Sequence, residues 1–573
     1  MKTRISNNKL LCGAKAGYEN LCAWADLLDS INVFPVADGD TGMNLRVSLA
    51  PLRDCGQGLD VSLKLLQSNG RGNSGNIAVA FFSEFLKADQ FSLADQAEKA
   101  RDRARLAIAV PRAGTMLEVF DALCGVLRDN GPGLPAYPVL RDCLRQAVAA
   151  TKFRLPELEV AGVVDSGALG MFVFFDGFFK DLGGQQKEFT PLMDIFEGML
   201  LVTDTFVAAG KKEHCVEATL APGHADSDIS SKIAELGNSA VIAKSEHGMK
   251  IHLHTDDPGK LRKTLSPLGD LLDWSEEVMA PMKRIRDYAK FSTNRVRIMT
   301  DAAASIPQEL GRNHGVILLD SYILASDRAV PESLLSPEPL YALMRAGEKV
   351  TTAQASNDER YLHYQAACAR YGDVLYIATG SAFTGNYATA LSWKKQYDVN
   401  GDMAIVDSGA ASGRLAVITL LAARLAESGA SMQELLSSVT SLTDSAEEYV
   451  FINELKYLVA GGRVSKTKGL FGDLFHMKPV ISPMAEGVRK VAVLRNRDAQ
   501  LGFALERIED RPDLFVLLQY TDNREWLTEE VEPQLRQKLP RAEILLLPLS
   551  LSSGVHMGPG TWSLAVAPLE KLQ

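Results

Sequence analysis

The stretch from Asn32 to Asn44, Asn-Val-Phe-Pro-Val-Ala-Asp-Gly-Asp-Thr-Gly-Met-Asn, decides the fold that is expected for the N-terminal part of the chain. Asp38 and Asp40 flank Gly39, and a glycine at that position lets the backbone bend tightly. Two carboxylates brought together in this way offer the hard oxygen ligands that magnesium prefers, alongside phosphate oxygens. The pattern alone leaves two interpretations open: a magnesium site, or an ordinary Asp-Gly turn with two solvated acids.

A second glycine-rich segment, Gly70-Arg-Gly-Asn-Ser-Gly-Asn76, precedes an apolar stretch predicted as a helix over residues 77–86. Gly72, Ser74 and Gly75 would let backbone N–H groups and a hydroxyl approach phosphates at a helix N-terminus. The segment lacks the G-x-x-x-x-G-K-[ST] spacing, which disfavours a P-loop ATPase. A flexible loop without a ligand is the alternative.

The sequence pattern indicates several domains. Apolar residues at three- and four-residue spacings predict further helices near residues 57–66, 92–109, 115–127 and 139–150. After a polar stretch near residue 188, short strand-like runs follow at 215–220, 239–243 and 250–254. Beyond a second polar link near residue 290, buried strand patterns at 295–300, 374–379, 403–407, 514–518 and 543–547 alternate with helical stretches. We therefore predict a helical domain at 1–187, an α/β domain at 188–290 and an α/β domain at 291–573.

Composition sets the broad class. The chain has 573 residues, 46% of them hydrophobic, and a formal net charge of −10, which excludes wholesale disorder and weighs against nucleic-acid partners. The seven cysteines are scattered without a C-x-x-C pair, a usage typical of a reduced, cytoplasmic protein. The most apolar segment, 167–179, is interrupted by Asp176 and is too short to span a bilayer, so no stable membrane insertion is expected.

The middle of the chain contains a candidate metal site. His252 and His254 alternate in a strand-like run, so both imidazoles would lie on one face. Cys215, also in a strand-like run, could add a thiolate and complete a zinc site with one open or water-filled position. Ordinary surface or core histidines are the alternative for a bare H-x-H pattern.

The N-terminal motifs together resemble the nucleotide-binding domain of the dihydroxyacetone kinase family (DhaL type), and within it the kinase subunit of bacterial fatty acid kinase. That subunit's segment reads N-V-F-P-V-P-D-G-D-T-G-T-N, from which this chain departs at Ala37 and Met43. Three further motifs follow in family order: 71–75 (Arg-Gly-Asn-Ser-Gly), 111–116 (Pro-Arg-Ala-Gly-Thr-Met) and 161–167 (Ala-Gly-Val-Val-Asp-Ser-Gly).

The resemblance implies a helical barrel that binds Mg-ATP. Asp38 and Asp40 would hold magnesium, and Asn44 would act beside them. The implied nucleotide contacts are Thr41, Gly42, Gly72, Asn73, Ser74, Gly75, Thr115, Met116 and Asp165. The middle segment resembles the fatty acid kinase middle domain, whose Cys-His-His metal site would correspond here to Cys215, His252 and His254.

From Met299 onward the chain resembles the DegV family of fatty-acid-binding proteins. The matching segments are Met299-Thr-Asp301, Thr352-Ala-Gln-Ala-Ser356, Thr384-Gly-Asn-Tyr387, 461–466 (Gly-Gly-Arg-Val-Ser-Lys) and 555–560 (Val-His-Met-Gly-Pro-Gly). Ala353 and Ala355 depart from the T-S-Q-P-S pattern. A two-lobed α/β fold is implied, with Thr351, Thr352, Ser381, Thr384 and His556 at the acyl carboxylate. His556 would stand exposed in a glycine-rich turn, and the basic run 462–468 would be either a phosphate contact or a solvated loop.

These resemblances lead us to expect a single-chain fatty acid kinase that uses ATP, magnesium and zinc to convert a long-chain fatty acid to acyl phosphate. His556 would act at the carboxylate during transfer. Its downstream partners would be acyltransferases of phospholipid synthesis that use acyl phosphate. The sequence leaves open whether the chain forms a homodimer. Two alternatives remain: a lipid carrier or sensor with an inactive kinase half, and a kinase of a small dihydroxyacetone-like substrate.

Overall fold

The computed structural model describes most of the chain. The described residues are 7–54, 56, 58–88, 93–131, 134–185, 189–207, 213–221, 229–245, 248–279, 295–325, 328–461, 477–508 and 513–569. The chain divides into two compact units, residues 1–289 and 290–573. The predicted domain boundaries at 187/188 and 290/291 lie outside the described residues.

The first unit begins with a helical part, as its apolar periodicity predicts. Its helices are α1 (Asn7–Ser30), α2 (Thr41–Leu49), α3 (Leu59–Asn69), α4 (Gly72–Phe85), α5 (Leu93–Leu106), α6 (Met116–Asp129), α7 (Tyr137–Thr151), α8 (Pro156–Ala161), α9 (Ser166–Leu182) and α10 (Leu192–Ile195), with a 3-10 turn at Ala50–Arg53.

Aromatic packing holds these helices together. The long helices α1 and α9 lie against each other, and α4 packs on α2 and α5. Phe81 of α4 stacks on Phe120 of α6 with ring centroids 4.0 Å apart, and Phe82 of α4 meets Phe174 of α9 at 4.4 Å. All four rings are fully buried, so each supplies about 1.5–3 kcal/mol of hydrophobic stabilisation.

An antiparallel sheet completes the first unit. Its strands are β1 (His214–Leu220), β2 (Asn238–Ser245), β3 (Gly248–Thr255) and β4 (Leu271–Val278), in the order β2-β3-β1-β4, with helices α11 (Ile229–Ala234) and α12 (Pro258–Leu265) and a 3-10 turn at Ser266–Leu268. One face carries the apolar side chains of Val216, Ala218, Ile251 and Leu253, which form a buried cluster. Because side chains alternate along a strand, Cys215, Glu217, His252 and His254 lie on the other face.

Three sheets are present among the described residues of the second unit. A parallel sheet has the order β11-β10-β5-β6, a small antiparallel sheet the order β8-β7-β9, and a mixed sheet the order β14-β13-β12-β17-β15-β16. The strands are β5 (Arg297–Asp301), β6 (Val316–Leu319), β7 (Tyr322–Ala325), β8 (Arg328–Pro331), β9 (Thr351–Ala353), β10 (Val374–Ala378), β11 (Met403–Asp407), β12 (Glu447–Phe451), β13 (Lys478–Met484), β14 (Gly487–Leu494), β15 (Leu514–Tyr520), β16 (Glu543–Pro548) and β17 (Trp562–Pro568).

Helices connect these strands. They are α13 (Gln308–Asn313), α14 (Pro337–Arg345), α15 (Asn357–Tyr371), α16 (Asn386–Tyr397), α17 (Ser412–Glu427), α18 (Met432–Ser445), α19 (Leu455–Ala460), α20 (Arg497–Arg507), α21 (Arg524–Trp526), α22 (Glu532–Lys538) and α23 (Leu551–Met557), with 3-10 turns at Ala302–Ala304 and Glu332–Leu334 and a π-helical turn at Leu527–Val531.

The core of the second unit is built around α17. Its apolar residues join one cluster with Ile298 and Ile377 of the parallel sheet and with Phe515 and Leu517 of the mixed sheet. The buried carboxylate of Glu448 on β12 accepts backbone N–H bonds at the start of α17, from Gly413 at 3.0 Å and Arg414 at 2.9 Å. A negative charge at a helix N-terminus stabilises the helix.

The architecture agrees with the predicted fold class: a helical first part, a middle sheet with helices, and an α/β second unit. The strand β4 was not predicted, and neither were most strands of the mixed sheet. The apolar segment 167–179 lies within α9, where Asp176 pairs with Arg141 at 2.9 Å. Within the described ranges, no helix has the length and apolar character needed to cross a membrane.

Gly42→Ala should destabilise the first unit. A Cβ at Gly42 would stand 2.0 Å from the backbone oxygen of Ala25, so α2 would have to move away from α1. We expect a loss of about 1–3 kcal/mol in the free energy of unfolding, measured by urea denaturation followed by circular dichroism.

Gly125→Ala is the matched control for that substitution. Gly125 lies within α6, is exposed, and its added Cβ would meet none of the described atoms within 4 Å. Alanine should therefore stabilise the helix by about 0.5–1 kcal/mol. Equal effects of the two substitutions would contradict the close approach of α2 to α1.

Candidate nucleotide, metal and acyl-ligand sites

The Asp-Gly-Asp turn connects α1 to α2. Gly39 has a φ of +67°, in the left-handed region that glycine adopts readily. Asn32 donates its side-chain N–H to Asp38 Oδ1 at 2.6 Å. Asp38 and Asp40 are both half-buried. The turn thus presents two carboxylates from a fixed backbone, as the sequence predicts.

The N-terminus of α2 is held from α1. Asp29, which is buried, accepts the backbone N–H of Gly42 at 2.6 Å and of Met43 at 3.2 Å. The carboxylate satisfies donors that a helix start otherwise leaves unpaired. The absence of a side chain at Gly42 allows this close approach. Gly42 therefore has a packing role here, beyond the nucleotide contact implied for it.

The glycine-rich segment is part of a helix. The sequence predicted that the helix starts at residue 77, whereas α4 begins at Gly72, so the predicted start was five residues late. Gly72 has a φ of +60°, and a Cβ there would stand 2.1 Å from Asn44 Nδ2. Asn76 donates its side-chain N–H to the Gly72 carbonyl at 2.7 Å, which closes the first turn. Asn44 is buried against Gly72 and supports this turn.

The start of α4 lies beside the start of α2. The Thr41 and Ser74 hydroxyl oxygens are 3.2 Å apart. A Cβ at Gly75 would stand 2.0 Å from Ser48 Oγ, so the two helices nearly touch at this glycine. The side-chain oxygen of Asn73 is buried and has no hydrogen-bond partner among the described residues. Hydroxyls, helix N–H groups and paired carboxylates are the donor set that a magnesium–phosphate group needs.

Thr115, Met116 and Asp165 belong to the starts of α6 and α9. The Thr115 hydroxyl donates to the Arg112 carbonyl at 3.1 Å. Asp165 caps α9 by accepting the Ala168 N–H at 2.7 Å, and burial raises the pKa of its carboxyl to about 7. A Cβ at Gly167 would stand 2.8 Å from Met116 Cε, so Met116 packs on the first turn of α9.

The structure brings Cys215, His252 and His254 into one cluster. One ligand atom from each lies within 4.8 Å of the other two. His252 Nε2 and His254 Nε2 are 3.1 Å apart, and Cys215 Sγ is 3.9 Å from His252 Nδ1. Cys215 pairs directly with His254 across β1 and β3. A thiolate and two imidazoles at this spacing fit a zinc ion with a remaining open position.

The electrostatics of this cluster suit a cation. Burial and the neighbouring His252 lower the pKa of His254 to about 3, so its imidazole is neutral and ready to bind a metal. Burial, followed by the carboxylates of Asp40, Glu217 and Asp38, raises the pKa of the Cys215 thiol. Asp38 and Asp40 are therefore near enough to Cys215 to act on its charge, and the two predicted metal sites are neighbours.

Sequence reasoning missed two residues at this junction. Glu217 accepts the Gly72 N–H at 2.5 Å and lies 3.6 Å from His252 Nδ1. Lys250 donates its ammonium N–H to the Gly70 carbonyl. Both occupy the same face of the sheet as Cys215, at even spacing from Cys215 and His252. Strand alternation was the signal that could have identified them.

In the second unit the structure joins Thr352 to His556. Thr352 Oγ1 is 2.9 Å from His556 Nε2, and both residues are half-buried. His556 lies in α23 rather than in the exposed turn predicted for it, because the glycines that suggested a turn begin only at Gly558. A Cβ at Gly461 would stand 2.6 Å from His556 Nδ1, so the ring packs on bare backbone.

Apolar side chains lie beside this pair. Thr352 faces Ile323 across β9 and β7. Ile323 belongs to a buried cluster completed by Leu340, Tyr341, Met344, Tyr457, Leu551 and Val555. Polar groups at the edge of an apolar cluster are typical of a site for a ligand with a polar head and an apolar tail.

The other predicted acyl contacts have different surroundings. Thr351 is the neighbour of Thr352 in β9, so its side chain takes the opposite face. The Thr384 hydroxyl accepts the Asn386 N–H at 3.1 Å, at the start of α16. Ser381 is exposed and donates its backbone N–H to Asp407 at 3.1 Å. The basic run 462–468 lies outside the described residues.

A buried charge fixes the loop that carries Ser381 and Thr384. Asp301, fully buried, pairs with the Arg360 guanidinium at 2.8 Å. It also accepts hydrogen bonds from the Tyr376 hydroxyl at 2.8 Å, the Thr379 N–H at 2.9 Å and the Asn386 side chain at 2.8 Å. These partners come from different elements, so one carboxylate sets the positions of β10, α15 and α16.

A second buried acid holds α23. Glu332 accepts the Ser552 N–H at 2.7 Å, in the first turn of the helix that carries His556. A Cβ at Gly554 would stand 2.1 Å from the Tyr341 hydroxyl, so the helix lies directly on Tyr341. Burial, and then the nearby Asp320 carboxylate, raise the pKa of Glu332 to about 8.

Three family models match consecutive segments of the chain. The DAK2 domain model matches residues 35–180, the model for the FakA-like middle domain of fatty acid kinase matches residues 211–284, and the model for the uncharacterised DegV family matches residues 295–569. The class is thus a DAK2-type domain fused to a DegV-type domain. The chain joins DAK2, FakA-like middle and DegV domains in one polypeptide, a fatty-acid-kinase-like organisation, and the expected resemblances are confirmed.

Individual relatives align with about half of this chain, over almost their whole length. A DegV domain-containing protein of Caldanaerobacter subterraneus subsp. tengcongensis is 26% identical over 270 residues, which is 46% of this chain and 96% of the relative. A DegV family protein from Thermus thermophilus, described for its fatty acid binding, covers 48% of this chain and 100% of its own, at 24% identity and a TM-score of 0.44. The fatty acid kinase (Fak) B3 protein of Streptococcus pneumoniae, solved with linoleic acid, covers 48% and 99%, at 17% identity and a TM-score of 0.43.

Stability of the second unit should fall as the pH rises from about 5 to about 8. In that range the folded chain keeps the Glu332 proton, because the pKa is raised to about 8, whereas the unfolded chain has lost it. The stabilising contribution of protonated Glu332 is complete at low pH and is lost as the pH rises through its folded-state pKa of about 8. One such proton gives a slope of up to about 1.4 kcal/mol per pH unit.

Glu332→Gln should remove that slope, because glutamine does not ionise. Urea denaturation at several pH values, followed by tryptophan fluorescence, measures it. Glu338→Gln, in the first turn of α14 and exposed, serves as the control and should keep the slope of the original chain. A slope that persists in Glu332→Gln would assign the pH dependence to another group.

Proposed function

We propose that this chain is a fatty acid kinase, which transfers the γ-phosphoryl group of ATP to the carboxylate of a bound long-chain fatty acid. The observation that carries the proposal is the junction of the Asp38-Gly-Asp40 turn with the first turn of α4, where Thr41 and Ser74 meet at 3.2 Å. This junction occurs in a chain that also contains a DegV domain.

The chemistry needs little from the protein beyond positioning. A fatty acid has a pKa of about 4 to 5, so its carboxylate is already ionised at neutral pH and needs no general base. One carboxylate oxygen attacks the γ-phosphorus, a new P–O bond forms, and the bond to the β-phosphate oxygen breaks. The products are acyl phosphate and ADP. Positioning and charge neutralisation supply the catalysis in reactions of this kind.

The N-terminal residues take the nucleotide side of the reaction. Asp38 and Asp40 would hold magnesium, which neutralises phosphate charge when it is bound. Ser74, Asn73 and the other N–H groups at the start of α4 would receive the phosphates. The Gly72 N–H is already donated to Glu217, so Gly72 would shape the turn. Asn44 and Gly75 support this turn from behind, where the packing leaves no room for larger side chains.

The second unit takes the acyl side. Thr352 and His556 form the polar pair beside the apolar cluster of Ile323, and they would receive the carboxylate. Ser381 and Thr384, on the loop fixed by Asp301, stay predicted contacts. A covalent link between the two halves would raise the effective concentration of the bound fatty acid at the kinase half. The acyl phosphate product would pass to acyltransferases that use it.

Asp38→Asn should abolish turnover while fatty acid binding is retained. The substitution removes one magnesium ligand charge at nearly constant size, and loss of such electrostatic stabilisation costs about 100-fold or more in rate. The assay incubates the purified chain with Mg-ATP and a panel of long-chain fatty acids, and traps acyl phosphate with hydroxylamine.

Asp60→Asn is the control for that assay, since Asp60 is exposed in the first turn of α3 and belongs to none of the predicted sites. A hydroxamate that forms without ATP or fatty acid, or not at all, would contradict the kinase proposal. Lipid that co-purifies with an inactive chain would instead favour a carrier or sensor. ATP turnover with dihydroxyacetone and not with fatty acid would favour the small-substrate kinase.

Thr352→Val should weaken fatty acid binding about tenfold, the effect of losing one hydrogen bond to a charged group. Nucleotide affinity should not change. Thr351→Val is the matched comparison, because its side chain lies on the other face of the same short strand. Fatty acid titration of both variants measures the difference. An equal loss in both would contradict the assignment of the carboxylate to the Thr352–His556 pair.

A further inference from the structure

One carboxylate oxygen in the first unit has two functional neighbours. Glu217 Oε1 accepts the backbone N–H of Gly72 at 2.5 Å. The same oxygen lies 3.6 Å from Nδ1 of His252. Gly72 is the first residue of α4, where the phosphates are proposed to bind, and His252 belongs to the candidate metal cluster. Glu217 therefore touches both candidate sites, although it is a ligand in neither.

The glycine-rich segment is held on both sides of this bond. Lys250, two residues before His252 in β3 and on the same sheet face, donates to the Gly70 carbonyl. Asn44 packs against Gly72 from α2. The first turn of α4 is thus clamped between α2 and the face of the sheet that carries the metal cluster. A shift of His252 or Glu217 would be transmitted directly to the Gly72 N–H.

The chemistry of metal-binding histidines indicates whether a bound metal would strengthen or weaken the contact between His252 and Glu217. His252 Nε2 faces His254 Nε2 at 3.1 Å, while its Nδ1 lies 3.6 Å from Glu217 Oε1 and 3.9 Å from Cys215 Sγ. A metal ion held between the two Nε2 atoms would leave the Nδ1 N–H for Glu217. A histidine that binds a metal through one ring nitrogen usually donates its other N–H to a carboxylate, which fixes the ring. A metal ion on the cluster would therefore strengthen the hold of Glu217 on His252, and with it the position of Gly72.

We infer that Glu217 is a positioning residue that couples metal binding at Cys215, His252 and His254 to nucleotide binding at the start of α4, with each ligand tightening the other. The inference rests on the proposed function, since it assumes that ATP binds at α4. Coupling of this kind is reciprocal: zinc must raise nucleotide affinity by the same factor by which nucleotide raises zinc affinity.

The test measures binding alone, without turnover. The affinity of the full chain for a non-hydrolysable ATP analogue with Mg²⁺ is measured by calorimetry, before and after loading with Zn²⁺. Zinc affinity is measured by chelator competition, with and without the analogue. We expect the same factor in both directions, within the range of about 5- to 150-fold that is typical of coupled sites.

Glu217→Gln should reduce the coupling factor to about one and lower zinc affinity about 10- to 100-fold, the usual effect of losing a carboxylate behind a ligating histidine. Glu276→Gln is the matched control. Glu276 pairs with Val216 on the opposite face of the same sheet, beside His214, and its substitution should leave the coupling unchanged.

The outcomes separate the inference from the proposed function. Tight but equal nucleotide affinity with and without Zn²⁺ would overturn the inference and leave the kinase proposal standing. Coupling that persists in Glu217→Gln would overturn the role of Glu217. Failure of the original chain to bind nucleotide at all would sink both. The coupling between zinc and nucleotide is measured in both directions on the original chain, without any variant. The inference can therefore be overturned even if Glu217→Gln fails to fold.

Discussion

Side-chain alternation along β1 and β3 is the constraint on which the first unit depends. The side chains of Val216, Ala218 and Leu253 lie on one face of the sheet and belong to its apolar core. Because the period of a strand is two, their neighbours must turn the other way, toward the glycine-rich segment. A register slip of one residue would turn the ligand set into the apolar cluster and the apolar side chains toward the glycine-rich segment. The stability of the sheet and the assembly of the metal cluster are thus a single requirement.

In the second unit, buried acidic side chains impose a comparable constraint on the arrangement of strands and helices. Asp301, Glu332 and Glu448 each accept backbone N–H groups at a point where elements meet. A buried polar group without its hydrogen-bond partners is costly, so each acid tolerates only arrangements in which its donors are in place. Arg360 balances the charge of Asp301 directly. Glu332 thus fixes the start of the helix that carries His556, and Asp301 fixes the loop that carries Ser381 and Thr384.

Local pattern predicted part of the secondary structure, and long-range contacts could not be read from it. The helices α3 to α7 and the common face of His252 and His254 follow from periodicity within short windows, whereas α1, α2 and α9 were not predicted individually. Glu217 was missed because its partner Gly72 lies 145 residues away along the chain. The strand β4 was missed because most of it is exposed and it lacks the apolar alternation that marks a strand. His556 was placed in a turn because its neighbouring glycines outweighed a helix of only seven residues.

The burial of α17 between two sheets has a consequence for how the second unit folds. Its neighbours Ile377 and Phe515 belong to different sheets and are separated by more than a hundred residues of sequence. A helix that is apolar on all sides gains little until both sheets have closed on it. The parallel and mixed sheets therefore share one apolar core across α17. Loss of strands from either sheet would expose an apolar face of the helix, and exposed apolar surface promotes aggregation.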